Sequence, residues 1–237
     1  MQNPSTFQLI YHYLRNLAAL YDAQGKYTEA EPLYQRSLTI REERLGNSHL
    51  DLVLDLTSLA TLYYQQGKYG EAELLYLRVL AICEHQLGVN HLYEANYLSK
   101  LATLYDTQRE YAKAGALYQR ALAIRKQRLG SNHPDTATSL NNLGRHYQSQ
   151  KKYAEAEPVF KEWLAIRKQQ VGADQPEIAI NLYNLADFYE TWGRYEQAES
   201  LYLQALTIDE RAYGPDHLEV ANDLSALVHG GSNHRVV

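Results

Sequence analysis

Cysteine occurs once, at Cys83, methionine once, at Met1, and phenylalanine only three times in 237 residues. A single thiol cannot close an internal disulfide, which excludes a disulfide-framed secreted scaffold and fits a reducing, cytoplasmic setting. No apolar run approaches the length a bilayer span requires, and the polar opening Met1-Gln2-Asn3-Pro4 is not a signal peptide, so no membrane partner is expected. There is no His-Glu-x-x-His helix, no phosphate-cradling glycine loop and no Gly-x-Ser-x-Gly elbow. Catalytic residues, metal ligands and cofactors are therefore expected to be absent, and the chain is read as a non-enzyme.

What the sequence does have is a period. It repeats every 42 residues, in blocks starting at Tyr11, Val53, Ala95, Ala137 and Ala179, with a truncated sixth at Ala221. One column holds Leu14, Leu56, Leu98, Leu140, Leu182 and Leu224, and a second Tyr21, Tyr63, Tyr105, Tyr147 and Tyr189. A third holds Ala30, Ala72, Ala114, Ala156 and Ala198, and a fourth Gly46, Gly88, Gly130, Gly172 and Gly214. A fixed period of this size marks a stacked array in which each unit covers its neighbour, rather than one globular core. Most of the 21 tyrosines recur at the repeat spacing, so they are expected to pack between helices with the hydroxyl at a solvated edge.

Charge is segregated along the array. Lys and Arg minus Asp and Glu gives -1, -3, +4, +1 and -6 for the five blocks, with neutral flanks, matching the net -5. Duplex binding needs a continuous positive stripe, so no nucleic-acid partner is expected.

Within a block the apolar spacing is helical. Leu14, Leu17, Ala18 and Tyr21 follow i, i+3, i+4, i+7, and a second helical pattern (Ala30, Leu33, Tyr34, Ser37, Leu38) follows a Gln24-to-Tyr27 break. The glycine column is expected to cap that second helix in left-handed geometry. Asn132-His133-Pro134-Asp135 reads as a helix start, and Pro32 and Pro158 are placed near the start of their helices, where a lost donor costs least. Each helix would span about 25 Å. The fold class is thus all-α, five helix-turn-helix repeats plus a partial sixth. Residues 1–229 form the array and 230–237 a flexible tail after Gly230-Gly231-Ser232.

At these columns the chain resembles the tetratricopeptide repeat, through Leu14-x-x-Leu17-Ala18-x-x-Tyr21 followed by Ala30, Tyr34 and the small Ser37. The 42-residue period is longer than the usual ~34. Asn141-Asn142-Leu143, Gly67-Lys68-Tyr69-x-Glu71-Ala72-Glu73 and Leu129-Gly130-x-x-His133 look more specifically like kinesin light chain-type repeats. The resemblance covers residues 7–229 and implies a right-handed superhelical solenoid that binds a protein or peptide in a concave groove lined by first helices. No heptad-rich coiled coil accompanies the repeats, so a motor subunit is not implied.

The polar stripe of the first helices then supplies the candidate peptide-binding residues. They are Arg15 and Asp22; Tyr64; Asn96 and Asp106; Asn141, Arg145 and Gln148; and Tyr183, Asp187, Glu190 and the turn residue Trp192. Beside them stand His12, Thr57, Thr61, Gln65, Ser99, Thr103 and Thr138. The Lys/Asn/Arg clamp for acidic chaperone tails is never completed, and Asp106, Asp187 and Glu190 oppose the tryptophan-acidic peptides of kinesin light chain-type grooves. A ligand with a basic portion near Asp187 and Glu190 and a polar or acidic portion near Arg145 fits better. The alternative is a regulatory or sensor module whose catalytic or switch partner is a separate chain. The histidine column (His49, His91, His133, His217) places its members too far apart to share one metal ion, so loop and cap contacts are expected.

Several columns break. Gly144 and His146 replace Ala and Leu, and Trp163 replaces a small residue, which is either mutual compensation in the core or a kink that opens the groove. Trp192 replaces glutamine, as loop packing or as an exposed anchor. Cys83 replaces Arg41, Arg125 and Arg167, which suggests a partly exposed thiol. Carboxylates such as Glu29, Glu31, Glu71 and Glu73 are expected at solvated positions. Apolar residues at the array ends (Phe7, Ile10, Tyr13; Ala226, Val228) would allow a homodimer.

Overall fold

The computed structural model describes residues 4–218 and 220. Among them are ten α-helices, one 3-10 turn and no strand. First helices are α1 (Pro4–Ala23), α3 (Val53–Gln65, preceded by the turn Leu50–Leu52), α5 (Leu92–Thr107), α7 (Pro134–Ser149) and α9 (Pro176–Thr191). Second helices are α2 (Tyr27–Leu45), α4 (Tyr69–Leu87), α6 (Tyr111–Leu129), α8 (Tyr153–Val171) and α10 (Tyr195–Tyr213). The second helices all run 19 residues and begin 42 residues apart. The chain forms two compact units, Met1–Ile124 and Arg125–Val237. In the first, α1 packs on α2, α2 on α3, α3 on α4 and α4 on α5; in the second, α7 packs on α8, α8 on α9 and α9 on α10. The truncated sixth block, the 230–237 tail and the side chain of Phe7 lie outside the described residues.

The columns are the core. Leu56, Leu98, Leu140 and Leu182, the alanines from Ala30 to Ala198, and Tyr105 are all buried. Small residues at Ala18, Ala60, Ala102 and Ala186 let paired helices approach closely. Leu62 and Leu104 are fully buried, whereas Leu20, in the same column of α1, is 54% exposed. On α1, Leu9 and Tyr13 are exposed with it.

The helix ends show where the chain turns. All five first helices close in a Schellman motif: the N–H of Lys26, Lys68, Glu110, Lys152 and Arg194 donates to the carbonyl of the column tyrosine five residues back, Tyr21 to Tyr189. The turn needs a positive φ, met by Gly25, Gly67 and Gly193 but by Arg109 (62°) and Lys151 (59°) in the third and fourth repeats. That is the left-handed cap. The Gly46 column is something else. At φ 80° and ψ 162°, Gly46 lies in a region open only to glycine, not in left-handed helical geometry, while its N–H still bonds Glu42. The sequence expectation for this column is corrected accordingly.

Two further expectations change. Pro32 and Pro158 sit inside α2 and α8, beyond the first turn, each removing one intrahelical bond on an exposed face. Cys83 is buried, not partly exposed. Its column faces the following first helix, where Arg41 is tolerated because Asp55, itself buried, accepts its guanidinium at 2.5 Å. Arg125 likewise donates to Ser139 at 2.6 Å.

Candidate functional site

The histidine column resolves into caps. Nδ1 of His49, His91 and His133 accepts the backbone N–H two residues on, at Asp51, Tyr93 and Asp135, satisfying an orphan donor of the next helix start. Gln175 makes no such bond, and Pro176 opens that helix instead. Among the described residues no group of His, Cys, Asp and Glu could hold a metal ion.

Two columns, three residues apart, run along the polar stripe of the first helices. One reads Ala19, Thr61, Thr103, Arg145, Asp187; the other Asp22, Tyr64, Asp106, Gln148, Glu190. In the first unit their polar atoms are largely spent on the fold. Thr61 and Thr103 meet the hydroxyls of Tyr76 and Tyr118 at 3.2 and 3.0 Å, and each also donates to its own helix four residues back. Thr57 and Ser99 likewise donate to carbonyls four residues back. The Tyr64 hydroxyl lies 2.9 Å from Thr107 Oγ1, tying α3 to α5. Asp106 sits beside Tyr118, whose hydroxyl is pushed up to about 12 by burial and then by that carboxylate. Asp22 keeps a buried carboxylate oxygen without a partner, and burial raises its pKa. Arg15 is half-buried near Tyr34, and Asn96 is exposed.

The second unit differs. Phe160 stands where Tyr34, Tyr76, Tyr118 and Tyr202 stand, so it has no hydroxyl to offer Arg145, which is exposed. One repeat on, Asp187 and Glu190 place two carboxylates on adjacent turns of α9. Tyr202 donates to Glu190 Oε2 at 3.0 Å, and the half-exposed Tyr183 ring packs edge-on against Tyr202 at 5.1 Å. Desolvation raises the Asp187 pKa, Glu190 raises it further, and Arg145 pulls it back. Arg145, Asp187, Glu190 and Tyr183 are thus brought together; Asn141 and Gln148 stay half-buried beside them.

Trp192 is loop packing. Its ring stacks on Tyr153 at 5.7 Å and on Tyr189 at 6.3 Å, with the Arg194 guanidinium 3.8 Å over it. It therefore leaves the set of open anchors. The Gly144, Phe160 and Trp163 changes compensate one another: all three are buried, and Phe160 fills the space a Cβ on residue 144 would need. The carboxylates expected in solvent are partly structural. Glu31 is bound by Lys68 at 2.7 Å, and Glu73 and Glu157 accept the hydroxyls of Tyr105 and Tyr189 at 2.6 and 2.8 Å. Those tyrosine hydroxyls are consequently bonded between repeats rather than left at a solvated edge.

Sequence reasoning missed a cavity of about 350 Å³ in the first unit, lined by Tyr11, Arg15, Arg41, Leu54, Cys83 and Tyr97 among others. The signal for it was Cys83, a short side chain in a column of arginines.

Ten helices in regular pairs, with polar stripes on first helices and apolar columns between them, define a helical-repeat protein. The Tetratricopeptide repeat family matches at residues 9–85, 75–127, 93–169 and 170–228, and the chain belongs to it. A Podosopora anserina structure described as kinesin light chain nearly identical TPR-like repeats superposes with TM-score 0.76 at 25% identity, covering 90% of this chain and 99% of that one. BtubC (BKLC) from P. vanneervenii gives 0.74 at 25% identity, covering 90% and 84%. RapI in its apo form gives 0.68 at 15% identity over 85% and 71%, a likeness of fold alone. Comparison with curated protein sequences gives no match. Among the described residues no helix is long and apolar enough to cross a membrane.

Proposed function

We propose that this protein is a non-enzymatic interaction scaffold that holds an extended protein segment against its first helices, with a basic stretch of that segment at Asp187 and Glu190. Repeat arrays of this family typically present surfaces to protein partners, and that much follows from the fold. The finer reading rests on one observation: Asp187 shares its face with Glu190 and lacks enough positive charge nearby to offset desolvation, so its pKa is raised. A lysine or arginine arriving there would relieve both effects. Arg145, without a tyrosine partner, suits a carboxylate or polar group further along the same segment. No reaction is assigned, because the repeat spreads titratable groups into columns instead of gathering them.

The test is fluorescence anisotropy with a labelled lysine-rich peptide against the protein and its Asp187→Lys, Glu190→Lys double variant. Loss of a charge-assisted contact lowers affinity about tenfold or more. Unchanged affinity in a variant that keeps its helical circular dichroism would exclude this placement.

A further inference from the structure

The cavity in the first unit is independent of the acidic lining in the second. It exists because the buried Arg41–Asp55 pair of one interface is replaced, 42 residues on, by Cys83 and Tyr97. A thiol is far shorter than a guanidinium arm, and the space it leaves opens beside Val53 and Leu54. About 350 Å³ is at the small end for organic ligands. The walls are the rings of Tyr11, Tyr93 and Tyr97 with aliphatic surface between them.

The charges at the cavity decide what chemistry it prefers. The Arg41 charge is paired: Asp55 holds it at 2.5 Å, Asp51 lies at 3.6 Å, and its guanidinium stands 4.7 Å over the Tyr11 ring, although its buried Nε–H keeps no partner. Asp51 is shared between Arg41 and the His49 ring, 3.8 Å away. His12 is exposed and adds a ring at the rim. Arg15 has no carboxylate within ion-pair distance among the described residues, so the unspent charge is positive. Cys83 is a poor nucleophile, its thiol pushed up to about 11 by burial and then by Glu94, so occupancy is non-covalent.

We propose that this cavity is a binding site for a small aromatic carboxylate, its ring among Tyr11, Tyr93, Tyr97 and Leu54 and its carboxylate on Arg15. The site goes beyond the scaffold reading and would make the first unit responsive to a metabolite-sized acid.

Ligand-observed NMR on the intact protein tests it with phenylacetate, benzyl alcohol and phenethylamine, which share a ring and differ in charge. Phenylacetate binds in the millimolar range and phenethylamine about tenfold more weakly or not at all. Arg15→Gln weakens phenylacetate about tenfold and leaves benzyl alcohol unchanged. Leu54→Trp, at a 54% exposed wall residue, blocks all three without unfolding the array. Three outcomes overturn the proposal: no binding to the folded protein, phenethylamine matching phenylacetate, or phenylacetate indifferent to both variants. A tight complex with an acidic aromatic peptide that free phenylacetate does not compete with would overturn it too, assigning the cavity to a protein partner.

Discussion

Gly144→Ala puts the compensation in the fourth repeat to a quantitative test. Every other described repeat has alanine in this column, at Ala18, Ala60, Ala102 and Ala186, so a propensity argument alone says the change stabilises by about 1 kcal/mol. The packing says otherwise. A Cβ on residue 144 would stand 2.6 Å from Phe160 Cε1 and 2.8 Å from its Cδ1 and Cζ, inside contact distance of a rigid ring. That ring cannot swing aside freely, since Trp163 meets it edge-on at 6.3 Å and Phe188 lies 5.0 Å away. Overpacking of this kind costs about 1–3 kcal/mol, and a clash with an enclosed aromatic falls at the upper end. The net expectation is a loss of about 1–2 kcal/mol, or about 2–8 °C in Tm for a chain of this size.

The second half of the test uses Trp163→Ala, which restores the residue type of Ala121 and Ala205. Alone it costs about 3–5 kcal/mol through the cavity it leaves. In that background Phe160 can move into the vacated volume, and Gly144→Ala becomes neutral or favourable by about 1 kcal/mol. Urea unfolding followed by far-UV circular dichroism reads all four proteins, with the m-value checking that the transition keeps its extent, since repeat arrays can unfold in steps. Additive effects in the double-mutant cycle, or a stabilised Gly144→Ala in the parent, would refute the reasoning.

Arg41→Cys leaves the buried Asp55 carboxylate, 1% exposed, without its cation and with the Ser37 hydroxyl as its remaining donor, and should destabilise by about 3–5 kcal/mol in urea unfolding, with much of the loss recovered by adding Asp55→Tyr, the pairing already used by Cys83 and Tyr97. The Asp187 carboxyl titrates above its ordinary 3.8, so it burdens the folded state once pH rises through the raised value; Asp187→Asn should raise the neutral-pH melting temperature. Affinity for a lysine-rich peptide should climb through that same acid range in the parent and stay flatter in Asp187→Asn; a parallel profile would count against the cation site.

How much of this was legible in the chain depends on the range of the interaction. Helix pairs and packing columns are local or periodic, and the 42-residue repeat prints them five times over, while the histidine caps recur at His49, His91 and His133. The glycine columns show the limit. Both Gly25 and Gly46 follow helices with positive φ, yet only the first sits in a Schellman turn, while Gly46 extends to ψ 162° to lead the chain toward the next first helix. Cys83 fails differently. Arginine in its column suggested exposure, but burial there is set by a partner fourteen residues downstream, Asp55 for Arg41 and Ser139 for Arg125. Trp192 was ambiguous because its neighbour Tyr153 lies in the preceding repeat.

Those cross-repeat partners explain why the candidate sites fall where columns break. Positions that must satisfy two helices at once stay fixed: an alanine at Ala30 or Ala72 leaves no freedom, since any larger side chain would push apart helices already in contact. A column whose partner can change with it is free to vary in pairs, from Arg41 with Asp55 to Cys83 with Tyr97 to Arg125 with Ser139. Each swap preserves the interface and alters what the adjoining surface offers. Replacing an ion pair by a thiol and a phenol opens a cavity beside Arg15. Replacing tyrosine by Phe160 withdraws a hydroxyl from the lining at Arg145, and the next repeat sets Asp187 and Glu190 on the same face. A broken column in such an array therefore need not disturb the stack, because paired positions change together while the alanine and leucine columns hold the helices in register.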